Sequence, residues 1–329
     1  MKILFMGTPD FAMESLKALK EAGYDIIGVV TNVDKPKGRG MKTIASPVKE
    51  YASQNGMKIY QPLKVRNNEE FIKEIKTLNP DLICVVAYGK ILPKELLQIP
   101  KYGCINVHGS LLPKYRGAAP IQWAVINGEK TTGITTMYMD EGMDTGDMLL
   151  KEEVEIGEDE TTGELWQKLS KIGAKLLVET VKQIENRTIK REKQPEEFTL
   201  APMLTKEMAN IDWQNKNAQE IKNLVRGLNP IMGACTYING KKIKIWKTEV
   251  IDGEEFVKEF KELEEYKERL EKIEPGTIII SDDKKGLFIK AIGGIIKPVE
   301  VQGENAKKMQ VTDFLRGNKI EAGSICKNN

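Results

Sequence analysis

Two polar residues that are close together in the sequence could support group-transfer chemistry. Asn106 and His108 follow an apolar run, and His108 is the only histidine in the chain. In a β-strand, residues two apart project from the same face. The asparagine amide is a neutral hydrogen-bond donor, and the imidazole can change its charge near neutral pH. A lone histidine is more often structural than catalytic, but this one ends a predicted parallel strand, where ligands bind in open α/β sheets.

A second polar segment follows about thirty residues later, at 139–147 (MDEGMDTGD). Its glycines indicate a tight loop that presents acidic side chains. A carboxylate beside His108 would orient the ring and stabilise its charged form. From spacing alone, the commoner role for Asp140, Asp144 and Asp147 is that of turn residues that accept hydrogen bonds from backbone amides.

An asparagine, a histidine and an aspartate together suit the transfer of an acyl group to an amine. The amine attacks the acyl carbon, so no serine or cysteine nucleophile is required. The asparagine amide or a protonated histidine can donate a hydrogen bond to the oxyanion that forms. A base must also remove the proton of the amine.

The composition favours a two-domain globular protein. The chain has 329 residues, of which 40% are hydrophobic and 30% charged, and its 50 basic and 48 acidic residues nearly balance. Four scattered cysteines fit a reduced, cytoplasmic compartment: Cys84, Cys104, Cys235 and Cys326. The first eleven residues lack the apolar core of a signal peptide, and the most apolar run, 82–87, is too short to cross a membrane.

Several other function classes fit the sequence poorly. The first strand–helix turn lacks G-x-G-x-x-G, and the G-x-G at Gly38–Gly40 has Thr43 where a third glycine would be needed. No P-loop motif is present, which argues against P-loop chemistry. A single histidine argues against a histidine-rich zinc site, so we expect no metal.

Hydrophobic periodicity predicts an α/β domain followed by a smaller β-domain. Strands at 2–6, 25–31, 81–87 and 103–107, with helices at 9–23, 46–55 and 68–78, are typical of a parallel sheet. Strands from 133 to 154 continue it, and a long amphipathic helix covers 161–185. A helix at 218–227 and five short strands between 235 and 301 suggest a small barrel of the OB type.

We therefore expect a catalytic domain at 1–188, a linker at 189–206 and a barrel domain at 207–329. The barrel would carry a charged, helical insertion at about 252–274. Residues 201–329 hold 22 basic and 20 acidic residues, and the insertion supplies 5 and 10 of these. The remaining 17 basic against 10 acidic residues are consistent with phosphate contacts to RNA or with an ordinary solvated surface.

The segment Asn106–Pro113 (NVHGSLLP), followed by 115–122 (YRGAAPIQ), resembles the 10-formyltetrahydrofolate-dependent formyltransferases and hydrolases, as does the loop at 139–147. Three other segments resemble the methionyl-tRNA formyltransferase family in particular: 6–12 (MGTPDFA), 34–42 (DKPKGRGMK) with 46–49 (SPVK), and 85–93 (VVAYGKILP). The resemblance covers residues 1 to about 200 almost without gaps and continues weakly beyond them.

The resemblance implies a Rossmann-like formyltransferase domain joined to an OB-like tRNA-binding domain. It implies that Asn106, His108 and Asp144 form the catalytic set. The residues it assigns to 10-formyltetrahydrofolate are Ser110, Leu111, Leu112, Pro113, Val86, Tyr88, Ile91, Leu92 and Asp140. Those it assigns to initiator methionyl-tRNA are Lys35, Lys37, Arg39 and Lys42.

Other functions stay open at this point. A formyltransferase acting on a small amine, such as an amino sugar nucleotide, would share the same polar set but would need neither a basic loop nor a barrel. A formyltetrahydrofolate hydrolase would use water in place of the amine. A non-catalytic folate- or RNA-binding protein would not need to keep its only histidine at this position. We expect a cytoplasmic monomer that binds neither DNA nor membrane.

Overall fold

The computed structural model describes residues 1–37, 42–260, 270 and 272–328. The chain divides into two compact units. The first comprises Met1–Ile121, Thr131–Glu155 and Glu164–Met203, and the second comprises Gln122–Lys130, Ile156–Gly163 and Leu204–Asn329.

A seven-stranded sheet forms the centre of the first unit. Its strands, in sequence order, are β1 (Lys2–Gly7), β2 (Asp25–Val30), β5 (Ile59–Tyr60), β6 (Leu82–Val86), β7 (Cys104–His108), β8 (Thr131–Tyr138) and β9 (Met148–Glu155). Their spatial order is β5-β2-β1-β6-β7-β8-β9. The first five are parallel to one another, and β8 and β9 continue the sheet antiparallel. The predicted Rossmann-like arrangement is confirmed.

Helices connect these strands, and polar caps begin two of them. They are α1 (Asp10–Glu21), α2 (Pro47–Gln54), α3 (Glu69–Leu78), α4 (Lys94–Leu97), α5 (Pro120–Ile126) and α6 (Thr162–Glu185). The Ser46 side chain accepts a hydrogen bond from Lys49 N at the start of α2, and Asn68 does the same for Phe71 N in α3. Such caps satisfy backbone N–H groups that have no partner within the helix.

Burial explains why β6 and β7 lie at the centre of the sheet. Every residue of β6 is buried, as expected for a parallel strand that is covered on both faces. Its last residue, Val86, pairs with Val107 in β7. The carboxyl ends of these two strands therefore lie side by side, and His108 is the last residue of β7.

The second unit contains an antiparallel sheet of six strands. They are β10 (Ala234–Ile238), β11 (Lys241–Ile251), β12 (Ile278–Asp282), β13 (Gly286–Ala291), β14 (Gly294–Gly303) and β15 (Met309–Gln310). The spatial order is β10-β11-β14-β13-β12, with β15 also on β14. Helices in the described part of 204–329 are α7 (Ala218–Gly227), α8 (Gly253–Glu259) and α9 (Val311–Gly317).

The described strands of the second unit do not close into the barrel that the sequence suggested. β10 and β12 are the two ends of the strand order, and they are not paired with each other. The C-terminal segment reaches both ends through isolated bridges, from Lys327 to Tyr237 and from Ile325 to Thr277. Short strands with turns between them predict antiparallel pairing, but they do not determine whether the outermost strands meet.

The charged insertion begins with α8, as its periodicity predicted, while residues 261–269 and 271 lie outside the described part. Phe256 and Phe260 are buried against Phe288 of β13, with ring centroids 5.4 and 5.1 Å apart. The insertion is therefore attached to the sheet by an aromatic cluster. Among the described residues, no helix is both long and apolar enough to cross a membrane.

Candidate active site

His108 lies at the carboxyl end of β7 with both ring nitrogens facing protein groups. The side chain is 5% exposed, and its Nε2 is 2.9 Å from the carbonyl oxygen of Tyr115. A carbonyl oxygen only accepts hydrogen bonds, so Nε2 carries a proton and donates it. The other nitrogen, Nδ1, lies 3.6 Å from Oδ2 of Asp144. A second proton, received at Nδ1, would therefore lie beside a carboxylate.

Asp144 reaches this position from the loop between β8 and β9. Its backbone adopts the left-handed region with φ of 54°, which aspartate tolerates better than most residues. Its Oδ2 accepts a hydrogen bond from Gly117 N at 2.9 Å. The predicted pairing of this loop with His108 is therefore present, and the loop also contacts the segment that follows the 106–113 motif.

The two other aspartates of the loop behave as turn residues. Asp140 is exposed, and its Oδ1 accepts hydrogen bonds from Gly142 N and from Thr145 Oγ1, at 3.0 and 2.6 Å. Asp147 contributes its carbonyl oxygen to Tyr138 N. The capping role, which spacing made the commoner one, therefore applies to Asp140, although the resemblance placed it at the folate.

Asn106 lies two residues before His108 in β7, so the two side chains project from the same face. It is partly exposed, whereas the rest of the strand is buried. Its side-chain amide makes no hydrogen bond to any residue within the described ranges. Because an amide that is not engaged by the protein is available to a ligand, Asn106 can donate to an oxygen placed beside His108.

The turn after His108 is held by buried hydrogen bonds from β8. Thr135 Oγ1 donates to the carbonyl oxygen of Ser110 at 2.7 Å and accepts from Leu112 N at 3.0 Å. Ser110 and Leu112 are almost fully buried, while Leu111 and Pro113 are partly exposed, and the Leu112–Pro113 peptide is cis. Of the four predicted folate residues here, Leu111 and Pro113 offer side-chain surface to a ligand.

The other predicted folate residues follow β6. Val86, Tyr88 and Leu92 are at most 4% exposed, whereas Ile91 is 61% exposed. Tyr88 and Leu92 belong to a core cluster under the sheet, and burial raises the pKa of the Tyr88 hydroxyl to about 12. This segment therefore offers a ligand mainly its backbone and the Ile91 side chain.

Three of the four predicted tRNA residues lie on a hairpin between β2 and α2. Lys35 and Lys37 are on β3 (Lys35–Lys37) and Lys42 is on β4 (Lys42–Ile44), while Arg39 lies outside the described residues. At the base of the hairpin, hydrogen bonds from Lys49 and Gln61 lower the pKa of the Asp34 carboxyl. The hairpin therefore starts from a fixed point on the first unit.

Sequence reasoning missed a residue that contacts the Asp144 loop, Gln194. Its Nε2 donates to the carbonyl oxygens of Asp144 and Gly146 at 2.7 and 2.8 Å, and its Oε1 accepts from Arg116 Nε at 2.8 Å. Gln194 lies in the stretch interpreted as a linker, where no hydrophobic period exists to indicate a role. Among the described residues, no three histidine, cysteine, aspartate or glutamate side chains lie close enough together to hold a metal ion.

Two family models match this chain. The formyl transferase model matches residues 1–181, and the formyl transferase C-terminal domain model matches residues 203–319. The chain is 51% identical over 328 residues to the "Methionyl-tRNA formyltransferase" of Caldanaerobacter subterraneus subsp. tengcongensis, covering 99% of this chain and 100% of that protein. The chain belongs to the methionyl-tRNA formyltransferase family. A member from Clostridioides difficile is 52% identical over 326 residues and covers 99% of both chains.

A solved structure of an N-formyltransferase shares the fold. The N-formyltransferase from Helicobacter canadensis, in complex with folinic acid and dTDP-3-aminofucose, matches with a TM-score of 0.64 and 20% identity. The match covers 91% of this chain and 99% of that one. At this identity the likeness concerns the fold alone, whereas the full-length relatives near 50% identity establish the family.

Proposed function

We propose that this protein transfers the formyl group of 10-formyltetrahydrofolate to the amino group of methionine on initiator methionyl-tRNA, for translation initiation. The main structural support for this reaction is at the carboxyl end of β7. Asn106 and His108 share one face of the strand there, and Asp144 lies 3.6 Å from the His108 ring. The full-length identity with proteins named methionyl-tRNA formyltransferase carries the choice of substrate.

The proposed reaction needs three tasks from these residues. The neutral methionyl amine attacks the formyl carbon, a new C–N bond forms, and the carbonyl oxygen becomes an oxyanion. The Asn106 amide and the His108 ring supply hydrogen bonds to this oxygen or assist proton transfer. Because Nε2 donates to the Tyr115 carbonyl oxygen, the ring would act through Nδ1. In the tetrahedral intermediate, the bond between the formyl carbon and N10 of the folate then breaks. N10 takes up a proton, so that tetrahydrofolate leaves, and the attacking amine loses a proton. Asp144 orients the His108 ring.

For the formyl donor we propose a site along the turn Ser110–Pro113 and the segment that holds Val86, Tyr88, Ile91 and Leu92. These two segments leave the neighbouring ends of β7 and β6, so a ligand beside His108 can reach both. Leu111, Pro113 and Ile91 supply apolar surface, which suits a pterin ring. The Asp140 carboxylate, engaged within its own turn, would contribute only through its remaining acceptor positions.

For the acceptor we propose that the hairpin with Lys35, Lys37, Arg39 and Lys42 contacts the tRNA near its methionyl end. Four basic residues within eight positions favour phosphate contacts. We also propose that the second unit binds tRNA as an OB-like domain in which the C-terminal segment fills the gap between β10 and β12. The domain limits 1–188, 189–206 and 207–329, a monomeric state and a cytoplasmic location belong to the same proposal.

The alternative of a small-amine substrate is not favoured. The N-formyltransferase structure that contains dTDP-3-aminofucose is 20% identical to this chain, whereas relatives at 51% and 52% identity are named methionyl-tRNA formyltransferase.

The first test compares formyl transfer from 10-formyltetrahydrofolate to methionyl initiator tRNA by the wild type and by His108→Ala. We expect clear transfer by the wild type and a loss of about 10²–10⁴-fold in kcat in the variant, the range typical of an acid–base group. Circular dichroism of both proteins checks that the variant is folded. Transfer to an amino sugar nucleotide in place of methionyl-tRNA would contradict the proposed substrate, and an active His108→Ala would contradict the proposed site.

A further inference from the structure

The Asp144 loop contains one residue in a disfavoured backbone conformation and one position without room for a side chain. Asp144 lies in the left-handed region with φ of 54°. At Gly146, a Cβ would lie 1.9 Å from the carbonyl oxygen of Tyr138, so only glycine fits there without movement. Backbone in such conformations persists only where surrounding contacts impose it. The loop therefore needs partners outside itself to keep Asp144 beside His108.

Gln194 is such a partner, and both N–H groups of its side-chain amide donate hydrogen bonds to the loop. The two hydrogens of Nε2 go to the carbonyl oxygens of Asp144 and Gly146, and Oε1 accepts from Arg116 Nε. Carbonyl oxygens only accept and a guanidinium only donates, so the amide group fits in this orientation alone. Gln194 therefore bridges the loop on one side and Arg116 on the other.

The segment 192–201, which contains Gln194, is held at both ends by backbone hydrogen bonds to the rest of the first unit. Glu192 exchanges two backbone hydrogen bonds with Met148, at 2.8 and 2.9 Å. On the other side, Arg116 N donates to the Thr199 carbonyl oxygen, and Ala201 N donates to the Arg116 carbonyl oxygen. These bonds set the position of Gln194 independently of its own side chain.

Arg116 is itself held in place. Its side chain is 8% exposed, and its guanidinium lies 4.4 Å from the centre of the Phe198 ring. The next residue, Gly117, donates its N–H to the Asp144 carboxylate. Gly117 thus holds the carboxylate of Asp144 directly, and Arg116 holds its backbone through Gln194.

We propose that Gln194 is a positioning residue, which holds the backbone at Asp144 and Gly146 so that the Asp144 carboxylate stays beside His108. This inference rests on the proposed function, because it is there that Asp144 receives its role. Gln194 contacts no reacting atom in this proposal, so its effect on the reaction passes entirely through Asp144.

Gln194→Glu separates the two halves of the bridge. Glutamate keeps an oxygen for Arg116 but has no N–H groups for the two carbonyls. We expect kcat for formyl transfer to fall by about 10–100-fold, on the scale that small misplacements of a catalytic group produce, with KM for both substrates within about twofold. Gln167→Glu, which makes the same change of charge at an exposed position of α6, should leave kcat unchanged. If Gln194 only holds Arg116 for packing, Gln194→Glu keeps full activity, and the proposal is wrong.

A double variant tests whether the effect passes through Asp144. In an Asp144→Ala background the group that Gln194 positions is absent, so adding Gln194→Met should lower kcat by less than about twofold further. An equal loss in both backgrounds would show that Gln194 acts elsewhere.

The only histidine of the chain gives a readout that needs no substrate. NMR signals of the His108 ring require no assignment, because no other histidine is present. We expect the ring signals of Gln194→Met, which adds no charge, to move from the wild-type positions toward those of Asp144→Asn. Unmoved signals overturn the inference even where the protein formylates methionyl-tRNA. Moved signals support it even where the proposed substrate is wrong, so the two proposals fail separately.

Discussion

The two residues that face the ring nitrogens of His108 both have a backbone in the left-handed region. Tyr115, whose carbonyl oxygen accepts from His108 Nε2, has φ of 62°, and Asp144 has φ of 54°. The left-handed region costs an ordinary residue of order 1–3 kcal/mol, so both positions are maintained against a local preference. Tyr115 N is held by Thr199 Oγ1 at 2.8 Å, and Asp144 by Gln194. The histidine is thus positioned by residues that are themselves held from the segment 192–201.

Asn106 allows the oxyanion role to be tested separately from His108. Replacing Asn106 with alanine removes an amide donor that is not engaged by described protein groups, so little folding stability should be lost. We expect kcat to fall by about 10²–10³-fold, the effect typical of losing one oxyanion donor. The KM for 10-formyltetrahydrofolate should change little, because the bond strengthens only as the negative charge develops.

The control for this prediction is Asn186→Ala, an exposed residue that follows α6. It should retain wild-type kcat. A large rise in KM for the folate with kcat unchanged in Asn106→Ala would place Asn106 in ground-state binding and contradict the oxyanion role.

At the scale of elements, β8 supports the turn that follows β7. Thr135 is opposite His108 in the β7–β8 register and is fully buried. Its hydroxyl satisfies both the Ser110 carbonyl oxygen and the Leu112 N–H, two backbone groups of a turn that forms no strand pairing there. One side chain therefore fixes the turn that we assign to the folate.

Thr135→Val keeps the shape of this side chain and removes its hydroxyl. We expect a loss of about 1–3 kcal/mol in the free energy of unfolding, because the buried turn loses this partner. The thermal unfolding temperature should fall by several degrees, since units of 150–250 residues lose about 2–4 °C per kcal/mol. Calorimetry of this variant and of Thr131→Val, at the exposed first residue of β8, gives the comparison. Equal unfolding temperatures for the two variants would contradict the role of the Thr135 hydroxyl in stabilising the turn.

Sequence patterns predicted the elements well where burial is regular along the chain. The bounds of α7 agree with the prediction at both ends, and the all-buried β6 followed directly from its apolar run. Periodicity is informative in these cases because each element buries one stripe or both of its faces. Short elements such as α4 and the two-residue strand β5 were not predicted, because fewer than five residues cannot establish a period.

The position of His108 at a strand end followed from the sequence, but its supports did not. Gln194 and Asp144 are 50 residues apart, and Thr135 and Ser110 are 25 apart. These pairings depend on side-chain hydrogen bonds across the fold, which leave no hydrophobic pattern. Closure of the second sheet is not confirmed, and the sequence could not decide it for a related reason, since pairing between the first and last strands is a property of the whole sheet.

At the scale of the whole molecule, the charge balance limits how RNA can be attracted. The net charge is +2, so long-range attraction to a polyanion must come from local groups. Outside the acidic insertion, residues 201–329 hold 17 basic and 10 acidic residues, and the 34–42 hairpin adds four more basic residues. Both regions are therefore expected to contribute salt-sensitive contacts.

Removing the charges of the hairpin should weaken tRNA binding without affecting chemistry. In the variant Lys35→Ala/Lys37→Ala/Lys42→Ala, we expect KM for methionyl-tRNA to rise, while kcat and the KM for 10-formyltetrahydrofolate stay near wild type. Each phosphate contact releases counterions when tRNA binds. Each contact that is lost therefore reduces the slope of log affinity against log salt concentration by about 0.7–0.9. Measuring formylation from low to moderate salt gives both quantities.

The matched control removes three exposed lysines elsewhere on the first unit, Lys20 of α1 and Lys73 and Lys76 of α3. Both triple variants change the net charge by the same amount, so a general loss of attraction would raise KM for tRNA equally in the two. A larger increase and a shallower salt slope in the hairpin variant alone would locate the phosphate contacts at 35–42. Equal effects would mean that the hairpin acts only through net charge, and the tRNA contact would then have to be assigned to the second unit.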